Sequence, residues 1–281
     1  MADLLSGLGS LGLGNLENMD LFADEKKEAE AKAAAKAAPP KVEEKDFLFD
    51  KTYTCPVCGK EFKCKTLRSG KARLLGTDQD FRPRYENIDP LKYDILVCTT
   101  CGYAALPRYF NSLVSVQRKA IMAKIGASFK NPFKDTDETY SYEVALERYK
   151  LALVNTIVKS GKASEKAYIC LKTAWLLRGH AESLDQAAPD YAEKKKALEA
   201  QENEFLKNAL DGFVTASTKE EYPMAGMDET TVDLLTAVLA VRFGQKDLAS
   251  RLISSILTSS SANSRMKDRA RDLRDEFTKK A

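Results

Sequence analysis

Two short motifs carry the chemistry in this sequence: Cys55-Pro-Val-Cys58-Gly and Cys98-Thr-Thr-Cys101-Gly. Two residues between cysteines let one tight turn aim both sulfurs at a single ion, and the glycine that follows permits the positive φ closing such a turn. Four thiolates complete a tetrahedron of soft ligands with no position left for water. That is the structural form of a zinc site, since a catalytic zinc keeps one position open. Cys55, Cys58, Cys98 and Cys101 are therefore expected to hold one structural Zn²⁺. The 39-residue gap between the pairs implies a zinc ribbon with an inserted excursion. The competing reading is two separate redox C-x-x-C motifs. A strand-like run leads into each pair and argues against it: FLFDKTYT before the first, and KYDILV, with Tyr93, Ile95 and Val97 alternating, before the second. Cys64 reads as incidental, with a spare ligand or a reactive thiol as alternatives, and Cys170, in AYICLKTAWLL, reads as core.

Catalytic chemistry has little support. The only histidine, His180, falls near a predicted helix end and reads as a capping or surface residue. No phosphate loop of the GxxxxGK type occurs, and RSGKAR holds a single glycine. Asp78 and Asp80 are the remaining candidates for a divalent cation, with nothing else marking a two-carboxylate site. No catalytic residue is assigned and no enzyme is expected. The excursion, residues 65–94, offers Arg68, Lys71, Arg73, Arg82 and Arg84 as candidate anion or partner contacts, with Phe81, Tyr85 and Tyr93 able to stack on bases. Asp78, Asp80, Asp89 and Asp94 lie among them. Internal ion pairing, a peptide or small-anion site and nucleic-acid binding all remain open.

These motifs must be positioned by the rest of a 281-residue chain, long enough for a proper core. Residues 1–50 hold 6 Lys against 11 acids, a net of −5, and residues 51–110 hold 11 Lys or Arg against 6 acids, a net of +5. An acidic tail preceding a basic module suits an anionic partner or contact between the two. No stretch approaches the roughly 20 apolar residues that span a bilayer. No Lys or Arg precedes Lys26, so a secretory signal is not expected, and no membrane partner is. A cytoplasmic protein follows, in a reducing compartment where cysteines bind metal rather than pair.

Three sections result. Residues 1–46 read as a disordered or partly helical acidic tail, in which DEKKEAEAKAAAKAA favours helix and Leu4, Leu5, Leu8 and Leu11 could anchor a docking motif. Residues 47–110 read as the zinc-ribbon-like module. Residues 111–281 turn helical, with helices expected near 113–126, 142–159, 163–180, 189–217, 228–243, 246–258 and 263–279. Pro132 and the acidic DTDE run at 135–138 mark a loop and then a helix start. AVRFGQKDLASRLISSIL resembles a tetratricopeptide hairpin, with Gly244 at the turn, Ala249 at the small packing position, and Ile253 and Ile256 on the following face. Three clean 34-residue copies are not found, and an irregular bundle is the alternative. The fold class is mainly α with a small β zinc-ribbon module.

CPVCGKEFKCKTLRSGKARLLGTDQDFRPRYENIDPLKYDILVCTTCGYAA resembles the signature of the bacterial domain-of-unknown-function 2225 family, as do TAWLLRG, EFLKNAL and YPMAGMDETTVDLLTAVLAVRFGQ further on. The likeness covers roughly residues 50–280. It implies a zinc-ribbon head followed by tetratricopeptide-like helices in a cytoplasmic protein, with Cys55, Cys58, Cys98 and Cys101 as metal ligands and no enzymatic activity. Three function classes are carried forward. The first is a zinc-stabilised scaffold for a protein or peptide partner. The second is a nucleic-acid-binding protein using the basic module, and the third a metal-dependent hydrolase using Asp78 and Asp80.

Overall fold

The computed structural model describes residue 27 and residues 42–133 and 138–279. The tail, with its leucine anchors and acidic spacer, lies outside the described residues apart from Lys27 and the last few positions before the head. Glu44–Ala281 forms one compact unit.

Two antiparallel hairpins carry the cysteines. In the first, β1 (Leu48–Thr54) pairs with β2 (Glu61–Leu67), and the C-P-V-C-G turn joins them. The excursion then makes a short pair, β3 (Leu74–Thr77) with β4 (Pro83–Tyr85), and a 3-10 turn at Pro90–Tyr93 capped by the Asp89 side chain, which accepts from the Leu91 N–H. The second knuckle hairpin pairs β5 (Leu96–Val97) with β6 (Ala104–Ala105). The strand expected from the alternation of Tyr93, Ile95 and Val97 is confined to Leu96–Val97, and Tyr93 lies in the 3-10 turn before it. Tyr93, Ile95, Leu96 and Val97 are all buried. Ile95 and Val97 face the main helical core, while Leu96 packs in the cluster around the cysteines, so the strand is covered on both faces.

Among the described residues eight helices follow: α1 (Pro107–Phe110), α2 (Ser115–Ile121), α3 (Tyr142–Val158), α4 (Ala163–Ser183), α5 (Tyr191–Ser217), α6 (Glu229–Arg242), α7 (Lys246–Thr258) and α8 (Ser264–Lys279). A wide turn at Met122–Gly126 extends α2 to the boundary that its sequence suggests. Only part of the acidic run at 135–138 is described; α3 starts at Tyr142, as expected, behind Ser141, whose hydroxyl accepts from the Val144 N–H in the manner of an N-cap. At the α6–α7 turn Gly244 has φ 68°, as its place between two apolar runs requires.

Thirteen of the twenty-one residues of α4 are buried, which makes it the central helix. Its Leu171, Ala174 and Leu176 meet Ala145, Tyr149 and Ala152 of α3 and Leu206, Leu210 and Phe213 of α5. Each fully buried large apolar side chain contributes about 1.5–3 kcal/mol. Ile95 and Val97 join this same core, so residues 47–110 and 111–281 are packed into each other. A second cluster, with Phe62, Tyr103, Phe110, Ile121 and Ile125, closes over the cysteines. A third, with Leu234, Ile253, Ile256 and Leu273, joins α6, α7 and α8. The chain is mainly α with a small β module built around cysteines. Among the described residues no helix is long and apolar enough to cross a membrane.

Candidate metal centre

The two knuckles have the same hydrogen-bond pattern. In the first, the Gly59 N–H donates to the Cys55 carbonyl and the Cys55 N–H to the Lys60 carbonyl, both at 2.9 Å. In the second, the Gly102 N–H donates to the Cys98 carbonyl at 2.9 Å and the Cys98 N–H to the Tyr103 carbonyl at 2.8 Å. Both glycines take positive φ, 73° and 69°. Their surroundings differ. A Cβ on Gly59 would meet open space, while one on Gly102 would sit 2.5 Å from the Phe129 ring. Asn155 of α3 ties the second knuckle to the helices, donating to the Gly102 carbonyl at 2.9 Å.

The four sulfurs of Cys55, Cys58, Cys98 and Cys101 converge within 4.8 Å of one another. Across the two hairpins, Cys58 Sγ lies 3.6 Å from Cys98 Sγ and Cys55 Sγ lies 3.7 Å from Cys101 Sγ. These distances exclude disulfides, whose sulfurs stand about 2.05 Å apart. They match the edges, about 3.8 Å, of a tetrahedron of sulfurs around an ion bonded at about 2.3 Å. Cys55, Cys98 and Cys101 are buried and Cys58 is half-buried. Without a cation such a set cannot be fully ionised. Hydrogen bonds from Cys101 and then Cys55 hold Cys98 down to about 2. Contacts with Cys55 and Cys98, together with burial, drive Cys101 far up. A divalent ion would let all four ionise together. The donor set and its spacing fit a metal ion.

Cys64 stands outside this set. Its sulfur faces the Val97 carbonyl at 3.8 Å and receives an Arg148 N–H at 3.4 Å. Cys170 is buried in the helical core, and burial pushes its thiol up to about 11.

The candidate anion contacts do not form one patch. Arg68 donates to the Leu48 carbonyl at 2.9 Å and lies over Phe49; Arg73 pairs with Glu86 at 3.6 Å; Lys71 is exposed in the turn between β2 and β3. Arg82, Arg84 and Tyr85 line a cavity against α4. Asp78 and Asp80 face cations rather than each other across an open cation site. Arg178 reaches Asp78 at 3.0 Å and Asp80 at 2.7 Å, and Arg84 also binds Asp78. Glu182 takes Arg82 at 2.9 Å and Arg84 at 3.1 Å. Burial pushes the Asp78 carboxyl upward, but Arg84 and Arg178 outweigh it and hold the group below its ordinary 3.8. Within the network, internal pairing of the excursion is what the geometry provides.

Arg178 and Glu182 were not singled out as functional from sequence. The available signal was a charged residue inside an apolar helical run, TAWLLRG. His180 is half-buried, stacked on Tyr142 with centroids 5.1 Å apart and 3.2 Å from Glu143.

No solved structure matches this chain. A curated protein of Borreliella burgdorferi, described as "Uncharacterized protein", is 31% identical over 78 residues, covering 25% of this chain and 28% of that protein. The chain thus spans under a third of that relative's length. The model of the family described as "Uncharacterized protein conserved in bacteria (DUF2225)" matches residues 48–277, and this chain belongs to that family.

Proposed function

We propose that the protein is a zinc-stabilised cytoplasmic scaffold that binds another protein. Zinc is the ion of choice because four thiolates in tetrahedral spacing suit a soft, redox-inert cation, and the set leaves no position for a substrate. The ion would tie the two hairpins together and hold the head against α2 and α3. The tetratricopeptide-like reading of α6 and α7 adds stacked hairpins, an architecture that offers extended binding surfaces.

One observation carries the partner reading. Val116 on α2 is 76% exposed and Ile157 on α3 is 57% exposed, with Val114 and Val154 also exposed nearby in sequence. The Gln117 side chain donates to the Lys159 carbonyl at 3.1 Å and brings these two helix ends together. A contiguous exposed apolar patch marks a protein contact, and these aliphatics at adjoining helix ends are the residues that would form one.

Affinity capture from bacterial cells of the source species, with wild-type protein and with Val116→Asp/Ile157→Asp, tests the reading. A partner retained after nuclease treatment and lost from the double variant supports it. A partner released by nuclease supports the nucleic-acid alternative through Arg68, Lys71 and Arg73. Equal capture by both proteins removes the aliphatic surface from the interface.

A further inference from the structure

The excursion segment DFRPRYENIDP, residues 80–90, folds against α4 and borders an open pocket of about 410 Å³. Arg82, Asp89, Lys92, Tyr142, Gly179 and Glu182 line it. This is within the size range of small-molecule sites. Most of its charges are already matched. Lys92 Nζ donates to Glu44 at 2.7 Å and lies over the Tyr142 ring at 5.2 Å. Glu182 is shared between Arg82 and Arg84.

Two groups keep bonding capacity. Arg82 is only 6% exposed, and its ion pairs, to Glu182 and Asp78, all run through Nη1. Its Nε is buried and has no hydrogen-bond partner among the described residues. A buried guanidinium N–H left unmatched is costly, and an acceptor reaching it would remove that cost. Asp89 accepts from the Leu91 N–H at 3.0 Å on one oxygen and from the Tyr142 hydroxyl at 3.2 Å on the other. Each oxygen retains a second lone pair. Gly179 brings these groups to one point. The place its missing Cβ would occupy is 3.0 Å from Arg82 Nη2, 2.5 Å from Asp89 Oδ2 and 3.2 Å from the Tyr142 oxygen.

The Nε and Nη2 of an arginine form the planar edge that binds a carboxylate or phosphate through two parallel N–H bonds. Asp89 beside it selects against a bare anion and for a neighbouring O–H or N–H. The cations Arg82, Arg84 and Lys92 are balanced by Glu44, Asp89 and Glu182, which leaves no excess field for a polyanion. We propose that this cavity binds a small molecule carrying an oxyanion beside a hydroxyl or amine, with the oxyanion on the Arg82 edge and the donor on Asp89. The site is independent of the metal centre and of the exposed valines.

The full-length protein is titrated with inorganic phosphate, glycerol 3-phosphate and L-lactate while the arginine Nε–H signals are followed by ¹H–¹⁵N NMR. Arg82→Lys identifies the Arg82 signal. A saturable shift of that signal with glycerol 3-phosphate marks a phosphate ester as the ligand class, and one with lactate marks a carboxylate. Asp89→Asn, which keeps the side-chain shape, should weaken the hydroxylated probe about tenfold and leave inorganic phosphate no weaker. Should Arg82→Lys fail to fold, the wild-type and Asp89→Asn titrations still decide the matter. No saturable shift with any probe at millimolar concentration overturns the proposal. So does unchanged affinity in a folded Arg82→Lys. Inorganic phosphate binding as tightly as both hydroxylated probes overturns the role given to Asp89.

Discussion

Arg178 binds two acids of the excursion to the central helix. It spreads its donors over three carboxylates: Nη1 to Asp78 at 3.0 Å, Nη2 to Asp80 at 2.7 Å, and Nε to Glu202 at 2.9 Å. Replacing it by methionine keeps an unbranched apolar stem, shorter than arginine's, and removes every donor. The three acids do not suffer equally. Asp78 keeps Arg84 and a more distant Arg82 at 3.8 Å, and Glu202 keeps Arg242 at 3.2 Å. Asp80, 5% exposed, keeps a 3.4 Å contact from the Arg82 backbone N–H and no ion pair with a described residue. Removing one partner of a buried pair costs about 3–5 kcal/mol, because the other charge stays buried. Arg178→Met should therefore destabilise the protein by about that amount. Asp80→Asn in the same chain removes the stranded charge and should return about 2 kcal/mol, within the usual range of coupling between contacting residues. Denaturant unfolding followed by the fluorescence of Trp175, the single tryptophan, buried in the same helix, reads both effects. A cost under about 1 kcal/mol for Arg178→Met, or strictly additive costs for the pair, would refute the view that Arg178 neutralises Asp80.

Further outcomes follow from the knuckles. Gly59→Ala and Gly102→Ala both place a side chain at positive φ, which costs about 1–2 kcal/mol. Gly102→Ala also drives a Cβ into Phe129, so it should be the more destabilising of the two in a thermal melt. Equal effects would mean that Phe129 yields freely. Cys64→Ser should leave the metal content unchanged, since its sulfur faces Val97 and Arg148. Loss of metal in that variant, measured by elemental analysis, would make Cys64 a ligand.

The cysteine knuckles were legible because their information is local: two spacings, two glycines and the runs leading into them. The helices were legible for the same reason, from the periodicity of apolar residues and from Gly244 between α6 and α7. The fate of the excursion was not, since Asp78, Asp80, Arg82 and Arg84 all have partners about one hundred residues away, Arg178 to Asp80 being separated by 98 positions. Charge alternation along a segment does not say whether the opposite charge is a ligand or a helix of the same chain. The burial of Leu96 alongside Ile95 and Val97 was hidden too, because a two-residue strand covered on both faces has no period to read. The start of α3 at Tyr142 agrees with the helix expected from residue 142; what the acidic run before it obscured is only the identity of its N-cap, Ser141.

Elemental analysis of the purified protein, wild type beside Cys58→Ser and Cys98→Ser, bears most directly on the convergence of the four sulfurs. About one zinc per chain in the wild type, lost together with cooperative unfolding in each variant, is expected of a closed four-thiolate site. A wild type folded without bound metal, or serine variants that keep both their zinc and their melting transition, would contradict it.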